Sequence, residues 1–231
     1  MRKFRQFTIS GFEGYISTVP VKREINHIQI HHTWKPRKAD YRGESTIRGM
    51  WQYHTQTNGW QDIAQHFSIA PDGTIWDGRD LNLDPAGIKG YNRGGLMIEI
   101  IGDFDEGQDR LDNSQLFAVA SAVIACQDRF RLKNADIVFH REIDPSKSCP
   151  GTGIDRYLFL NAIDKTREVK GGKEVFADVP SDHWGVNAIR WASDQGLLTA
   201  NQEGRFRPND LVTRAEMAAI LHRMVGKGML K

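Results

Sequence analysis

The chain has 231 residues, of which 39% are hydrophobic, 26% charged and 10% aromatic. That is ordinary globular composition, and the length suits one domain with a small companion or two modest domains. A formal net charge of +2 is too small to argue for a nucleic-acid partner, although a slightly basic balance is compatible with an anionic polymer. Two cysteines, Cys126 and Cys149, exclude a disulfide scaffold. Cys126 lies in an apolar helical pattern and reads as a buried thiol, whereas Cys149 lies in a polar loop.

The opening MRKFRQFTISGFEGYIS has a basic start but no apolar core of the length a signal peptide needs. No stretch approaches the roughly 18 apolar residues of a membrane span. The expectation is a chain made in the cytoplasm and kept there unless something releases it. HIQIHHT (27–33) alternates and predicts a strand. STIRGMWQYHTQTNGW (45–60) predicts a helix with Ile47, Met50, Trp51 and His54 on one side and Gly59 as its stop. HFSIAPDGTIWDGRD (66–80) predicts two short strands around Pro71-Asp72-Gly73. GGLMIEIIGDF (94–104) is a glycine-bounded apolar run carrying one charge, Glu99, and predicts a buried central strand. NSQLFAVASAVIACQDRFRL (113–132) predicts an amphipathic helix, ADIVFH (135–140) a strand, and IDRYLFLNAI (154–163) a short helix. The stretch 165–175, charged and glycine-bearing, reads as a linker. Alternating strands and helices favour a mixed central β-sheet flanked by helices, an α/β fold, followed by a small all-α unit.

His140, Lys147 and Cys149 crowd into VFHREIDPSKSCPG (138–151). Zinc prefers nitrogen and sulfur ligands, and a catalytic site uses three protein ligands with a fourth position open to water. His140 ends a strand, Cys149 follows nine residues later, and Pro145 forces a turn between them. His31, at the end of the first predicted strand, is the candidate third ligand. His31 and His32 point to opposite faces of an extended chain, so at most one faces such a site. The bland alternative is that these are unrelated polar residues. Glu99 weighs against it, because a charge in an apolar strand is expensive unless paired or near a metal; a structural carboxylate bonded to a backbone amide remains the other reading.

In this order, the motifs IHHT, NGWQDIAQHFSIAPDGTIWDGR, AGIKGYN, IEIIGDFD and a histidine followed after eight residues by CPG resemble the zinc-dependent type-2 N-acetylmuramoyl-L-alanine amidases. These are related to phage amidase-lysozymes and to peptidoglycan recognition proteins. The resemblance covers roughly residues 20–165 and implies a central mixed sheet with a zinc site at one edge of a substrate groove. Carried over, the zinc ligands fall on His31, His140 and Cys149, one Zn2+ per chain. The catalytic lysine falls on Lys147 and an acid–base glutamate on Glu99. Gln65, His66 and Asn92 fall beside the substrate, although His66 reads equally as a hydrogen-bonded strand histidine. Two departures stand out: Gln65 replaces a tyrosine common in relatives, and Gly87 stands where many carry a histidine. Both shift weight to Glu99.

The tail FADVPSDHWGVNAIRWASDQGLLTANQEGRFRPNDLVTRAEMAAILHRM (176–224) resembles an S-layer homology module through FxDVP, HW, GLL, FRPN and TRAE. The resemblance implies a helical unit that binds secondary cell-wall polymer, with Trp184 and Arg214 as contacts; the competing reading puts Trp184 in the core and makes Thr213 and Glu216 a capping box. Modules of this kind often occur in threes, so a single one points to assembly between chains. The expected organisation is therefore an amidase domain at 1–168, a linker at 169–175 and the wall-binding module at 176–231. The implied function is peptidoglycan hydrolysis by a phage or prophage endolysin acting at the cell wall after release. The rival readings are a non-catalytic peptidoglycan recognition protein and a cytoplasmic wall-recycling amidase. Retention of Cys149 speaks against the first, and the wall-binding tail against the second.

Overall fold

The computed structural model describes residues 2–171, 176–180, 183–201 and 203–230. The chain divides into two compact units, Met1–Lys165 and Thr166–Lys231.

The first unit is built on a six-stranded sheet: β1 (Gln6–Phe7), β2 (His27–His32), β3 (Phe67–Ile69), β4 (Ile75–Asp77), β5 (Gly95–Ile100) and β6 (Ile137–Phe139), in the order β1-β4-β3-β5-β2-β6. β3, β5, β2 and β6 run parallel, and β4 and β1 continue the sheet antiparallel. The hairpin between β3 and β4 forms where expected. Gly73 takes φ 82°, and Asp72 Oδ1 accepts from the Thr74 amide at 3.0 Å and its hydroxyl at 2.6 Å.

Register gives the sheet two unlike faces, because side chains alternate along each strand. Ile28 pairs with Leu96 and Ile137, and Ile98 with Ile30 and Phe67, so one face is apolar. Helices α1 (Ile9–Thr18) and α3 (Asn113–Phe130) cover it. Phe12 of α1 meets Phe67 edge-on at 4.8 Å, and Gln115 of α3 donates to the carbonyls of Ile69 and Ile101 at 3.2 and 2.9 Å. Each fully buried Ile or Phe in this layer contributes about 1.5–3 kcal/mol. α3 starts at an Asp112 cap, whose Oδ1 accepts from the Gln115 amide at 3.0 Å, and ends on Arg131 in the left-handed region.

The opposite face is polar. One row across it reads Trp76, Ser68, Glu99 and His31. Helix α2 (Glu44–Gln52) covers only the Trp76 end, packing Ile47 and Met50 with Trp76, and continues as a π-turn over Tyr53–Thr57. Towards Glu99 the helix, its π-turn and the loop after β2 leave a cavity over the sheet.

Four elements differ from the sequence reading. Residues 6–18, read only as lacking a leader, form β1 and α1, with Thr8 capping α1 through a 3.1 Å bond from the Gly11 amide. α4 (His140–Ile143) is a single helical turn immediately after β6. α5 runs Arg156–Gly171, so the segment from 165 to 171 is helix and not linker; it is built of Lys, Arg and Glu, which favour helix. The remainder of the linker reading, 172–175, lies outside the described residues.

In the second unit, helices α6 (Val186–Asp194) and α7 (Arg214–Gly226) form, with Thr213 and Glu216 in a reciprocal capping box. Phe176 stacks on Phe206 at 5.2 Å, and Asp178 accepts from the amides of Phe206 and Arg207 at 2.8 and 2.7 Å. Among the described residues no helix is long and apolar enough to cross a membrane.

Candidate functional site

His31, His140 and Cys149 meet at the end of the parallel strands. Their ligand atoms all lie within 4.8 Å of one another, and Cys149 Sγ is 3.4 Å from His31 Nδ1. His31 comes from the last turn of the β2 pleat. His140 opens α4, in line with His31 across the sheet edge. His32 points the other way, its Nδ1 accepting from the Phe104 amide at 3.1 Å, so alternation sends only His31 to the cluster.

Cys149 is brought back by Arg141, next to His140 in sequence. The Arg141 amide donates to the Cys149 carbonyl at 2.9 Å, and its guanidinium donates to the carbonyls of Gly151 and Ile154, both at 2.6 Å. From the other side, Asp105 accepts from the Ser148 hydroxyl and the Thr152 amide, each at 3.0 Å. Gly151 is required here. It has φ 117°, and a Cβ would sit 2.4 Å from the Phe104 backbone.

The donor set fits zinc. Tetrahedral N and S ligands about 2.0–2.3 Å from the metal stand roughly 3.3–3.8 Å apart, a small contraction from the observed spacing. Burial holds the His31 imidazole down to about 3 and lowers His140, with Lys147 adding to the latter, so both rings offer lone pairs at neutral pH. Burial pushes the Cys149 thiol up to about 12, an effect a bound cation reverses by stabilising the thiolate.

Glu99 stands beside His31 in the β5 register and lines a cavity of about 730 Å3, together with Trp34, Arg42, Met50, Tyr53 and His54. Burial raises its carboxyl to about 7, and among the described residues it has no hydrogen-bond or ion-pair partner. It is therefore not the structural carboxylate that the sequence left open. Lys147 is exposed on the loop between α4 and Cys149.

The three residues expected to touch substrate fare differently. His66 is fully buried; its Nδ1 accepts from the Met97 amide at 2.9 Å, and its Nε2 lies 2.9 Å from the Leu83 carbonyl. Both nitrogens are engaged within the fold, as the strand-histidine reading expects. Gln65 is also fully buried, donating to Ser68 Oγ at 2.9 Å, and presents nothing to a groove. Asn92 Oδ1 accepts from the amides of Gly87 and Ile88 at 3.0 and 2.8 Å, which gives it a loop-bracing task. In the second unit Trp184 is 61% exposed, not core, and Arg214 is exposed at the start of α7.

Sequence reasoning missed Trp34, Tyr53 and His54. Trp34 is 56% exposed with φ 57°, a strained conformation that clusters at functional sites. Tyr53 and His54 sit in the π-turn, another feature associated with such sites. His54 Nδ1 accepts from the Ala64 amide at 3.2 Å, which puts its proton on Nε2; burial lowers its pKa to about 4. An aromatic pair at the polar end of a helix was the available signal.

Residues 21–152 match the family pattern described as N-acetylmuramoyl-L-alanine amidase, and residues 175–218 match the S-layer homology domain. The chain is 27% identical over 147 residues to an N-acetylmuramoyl-L-alanine amidase of Sus scrofa, covering 62% of this chain and 24% of that protein. It thus spans about a quarter of the length of the mammalian amidases it matches. It is 26% identical over 147 residues to peptidoglycan-recognition protein SC1a of Drosophila melanogaster, covering 62% of this chain and 77% of that one. Among solved structures, Drosophila PGRP-LB superposes with a TM-score of 0.51 at 26% identity, covering 59% of this chain and 81% of that one. The endolysin amidase LysCS from Clostridium intestinale has the same fold, with a TM-score of 0.52 at 23% identity over 63% of this chain and 89% of that one. The family match extends over more than half of the sequence and includes His31, Glu99, His140 and Cys149: the chain belongs to the N-acetylmuramoyl-L-alanine amidase family.

Proposed function

We propose that the protein is a zinc-dependent peptidoglycan hydrolase that cleaves the amide between the lactyl group of N-acetylmuramic acid and L-alanine of the stem peptide. The carrying observation is the convergence of His31, His140 and Cys149 beside Glu99, which is buried, lines a cavity and has no hydrogen-bond partner among the described residues. An amide resists water because its carbonyl is a weak electrophile and its amine a poor leaving group. Zinc held by these three residues would supply Lewis acidity to polarise a carbonyl and lower the pKa of a water to about 7.

Glu99, with a pKa of about 7, takes the proton of the attacking water and delivers it to the departing nitrogen as the C–N bond breaks. Lys147 brings a cation to the carbonyl oxygen as negative charge develops there, a contribution of about 3 kcal/mol for one such donor. His54 offers its Nε2–H, and Trp34 and Tyr53 offer exposed rings, to hold the substrate along the cavity. Gln65, buried where many relatives carry tyrosine, takes no part.

The S-layer homology unit tethers the enzyme to secondary cell-wall polymer, with Trp184 and Arg214 as contacts and assembly between chains making up for its being single. Tethering raises local substrate concentration without altering the site. The reading includes action at the cell wall after release, as a phage or prophage endolysin. A second reading, peptidoglycan recognition without catalysis, draws on the replaced tyrosine and on the recognition proteins among the relatives. Digestion of purified cell walls, with and without chelator, separates the two. Soluble peptides beginning with L-alanine that disappear with chelator support the hydrolase; wall binding without released peptides supports recognition.

A further inference from the structure

β2 carries a second polar run on the face that holds the metal ligand. His27, Gln29 and His31 alternate with apolar residues, share that face and are all buried. Buried polar atoms are normally paired, and most of this run is. His27 Nδ1 lies 2.7 Å from Asn26 Oδ1, which makes Nδ1 the protonated nitrogen and leaves Nε2 as an acceptor. The Gln29 amide nitrogen donates to that Nε2 at 3.1 Å and to the Tyr91 carbonyl at 2.8 Å. Both amide protons are spent, so the orientation of the amide is fixed and its oxygen faces away from these two acceptors.

That oxygen, Gln29 Oε1, is buried with no partner among the described residues, and so is His31 Nε2. A Cβ at Gly87 would lie 2.7 Å from the first and 2.9 Å from the second. The two orphan atoms therefore border one small space, open only because residue 87 has no side chain. Their chemistry is complementary. His31 turns Nδ1 to Cys149, and an imidazole ligating through Nδ1 carries its proton on Nε2, where it needs an acceptor.

We propose that Gln29 is the positioning residue for the metal ligand His31: its Oε1 accepts the Nε2–H bond when Nδ1 is coordinated. The run Asn26, His27, Gln29, His31 then fixes the tautomer and tilt of the ligating ring from within the sheet, with Gly87 admitting the contact. This inference rests on the zinc reading above.

The test uses the full-length protein and zinc alone. Competition with a chromophoric chelator gives zinc affinity for the parent, Gln29→Met and Gln29→Glu. Met keeps the bulk and loses the acceptor; Glu keeps the acceptor and loses both donors to the loop. The expected result is a loss of about 10–100-fold for Gln29→Met, typical of an outer-shell partner, with Gln29→Glu at parent affinity or tighter. In the zinc-loaded parent with 15N-labelled histidine, the His31 Nε2 proton should be observed and slow to exchange, and it should exchange rapidly in Gln29→Met. Undiminished affinity in Gln29→Met, equal weakening of both variants, or a fast-exchanging Nε2 proton in the parent each overturns the proposal while leaving the metal site standing. Failure of the parent to bind zinc overturns both.

Discussion

Replacing Glu99 by Gln should make the metal-free protein more stable and the enzyme nearly inactive. Glu99 is 9% exposed, and burial raises its carboxyl from an ordinary 4.5 to about 7. The fold thus prefers the neutral acid. Its contribution is fully present below pH 4.5, the unfolded value, and is lost as pH rises through 7. A shift of that size corresponds to about 3 kcal/mol at roughly 1.4 kcal/mol per pK unit. Gln is nearly isosteric and carries no charge. Glu99→Gln should match the parent below pH 4.5 and exceed it by about 3 kcal/mol above pH 8, or roughly 6–12 °C in the melting of a domain of this size. The assay is thermal unfolding of both proteins in chelator from pH 4 to 9, followed by wall digestion by the zinc-loaded forms. Turnover should fall by about 10²–10⁴, the usual contribution of a general acid–base. A stability difference that does not change with pH would refute the burial argument, and parent-like turnover would refute the role given to Glu99.

Lys147→Ala should lower turnover by about 10²–10³ while leaving zinc content unchanged, because the lysine is exposed and not a ligand; metal analysis beside wall digestion checks both halves. Arg141→Met should weaken zinc binding without touching a ligand, because the guanidinium bonds to Gly151 and Ile154 that return the Cys149 loop are lost; zinc competition measures it. A chain ending at Gly171, which keeps α5 whole, should retain its rate on small soluble muropeptides and lose co-sedimentation with walls that carry secondary polymer. Equal pelleting of the shortened and full-length chains would leave the tail without a targeting role.

The parts that were legible in the sequence are those where one physical pattern dominates. β2 and β5 alternate or run apolar, the hairpin turns on Pro71-Asp72-Gly73, and α3 keeps its apolar face for five turns. His31 and His140 could be brought together because they stand at the ends of neighbouring parallel strands, and Cys149 because the Pro145 turn brings its loop back to His140. β1 and α1 escaped notice because β1 has two residues and α1 contains two glycines, although Ile9, Phe12 and Ile16 mark its buried side. The last turns of α5 were hidden by charge, which looks the same on an exposed helix as in a linker. Burial separated residues that composition could not: His66 and His54 are both histidines near apolar runs, yet one is consumed by backbone groups on both nitrogens and the other lines the cavity. The space that Gly87 leaves open beside Gln29 and His31 is a long-range feature with no local signature.

Titrating zinc into metal-free protein, while following release of L-alanine-headed peptides from purified walls, tests the central claim most directly. The account predicts activity that rises to a plateau at one zinc per chain and is absent at every zinc level in Cys149→Ala. Full release from the metal-free protein, or undiminished release from Cys149→Ala, would contradict it.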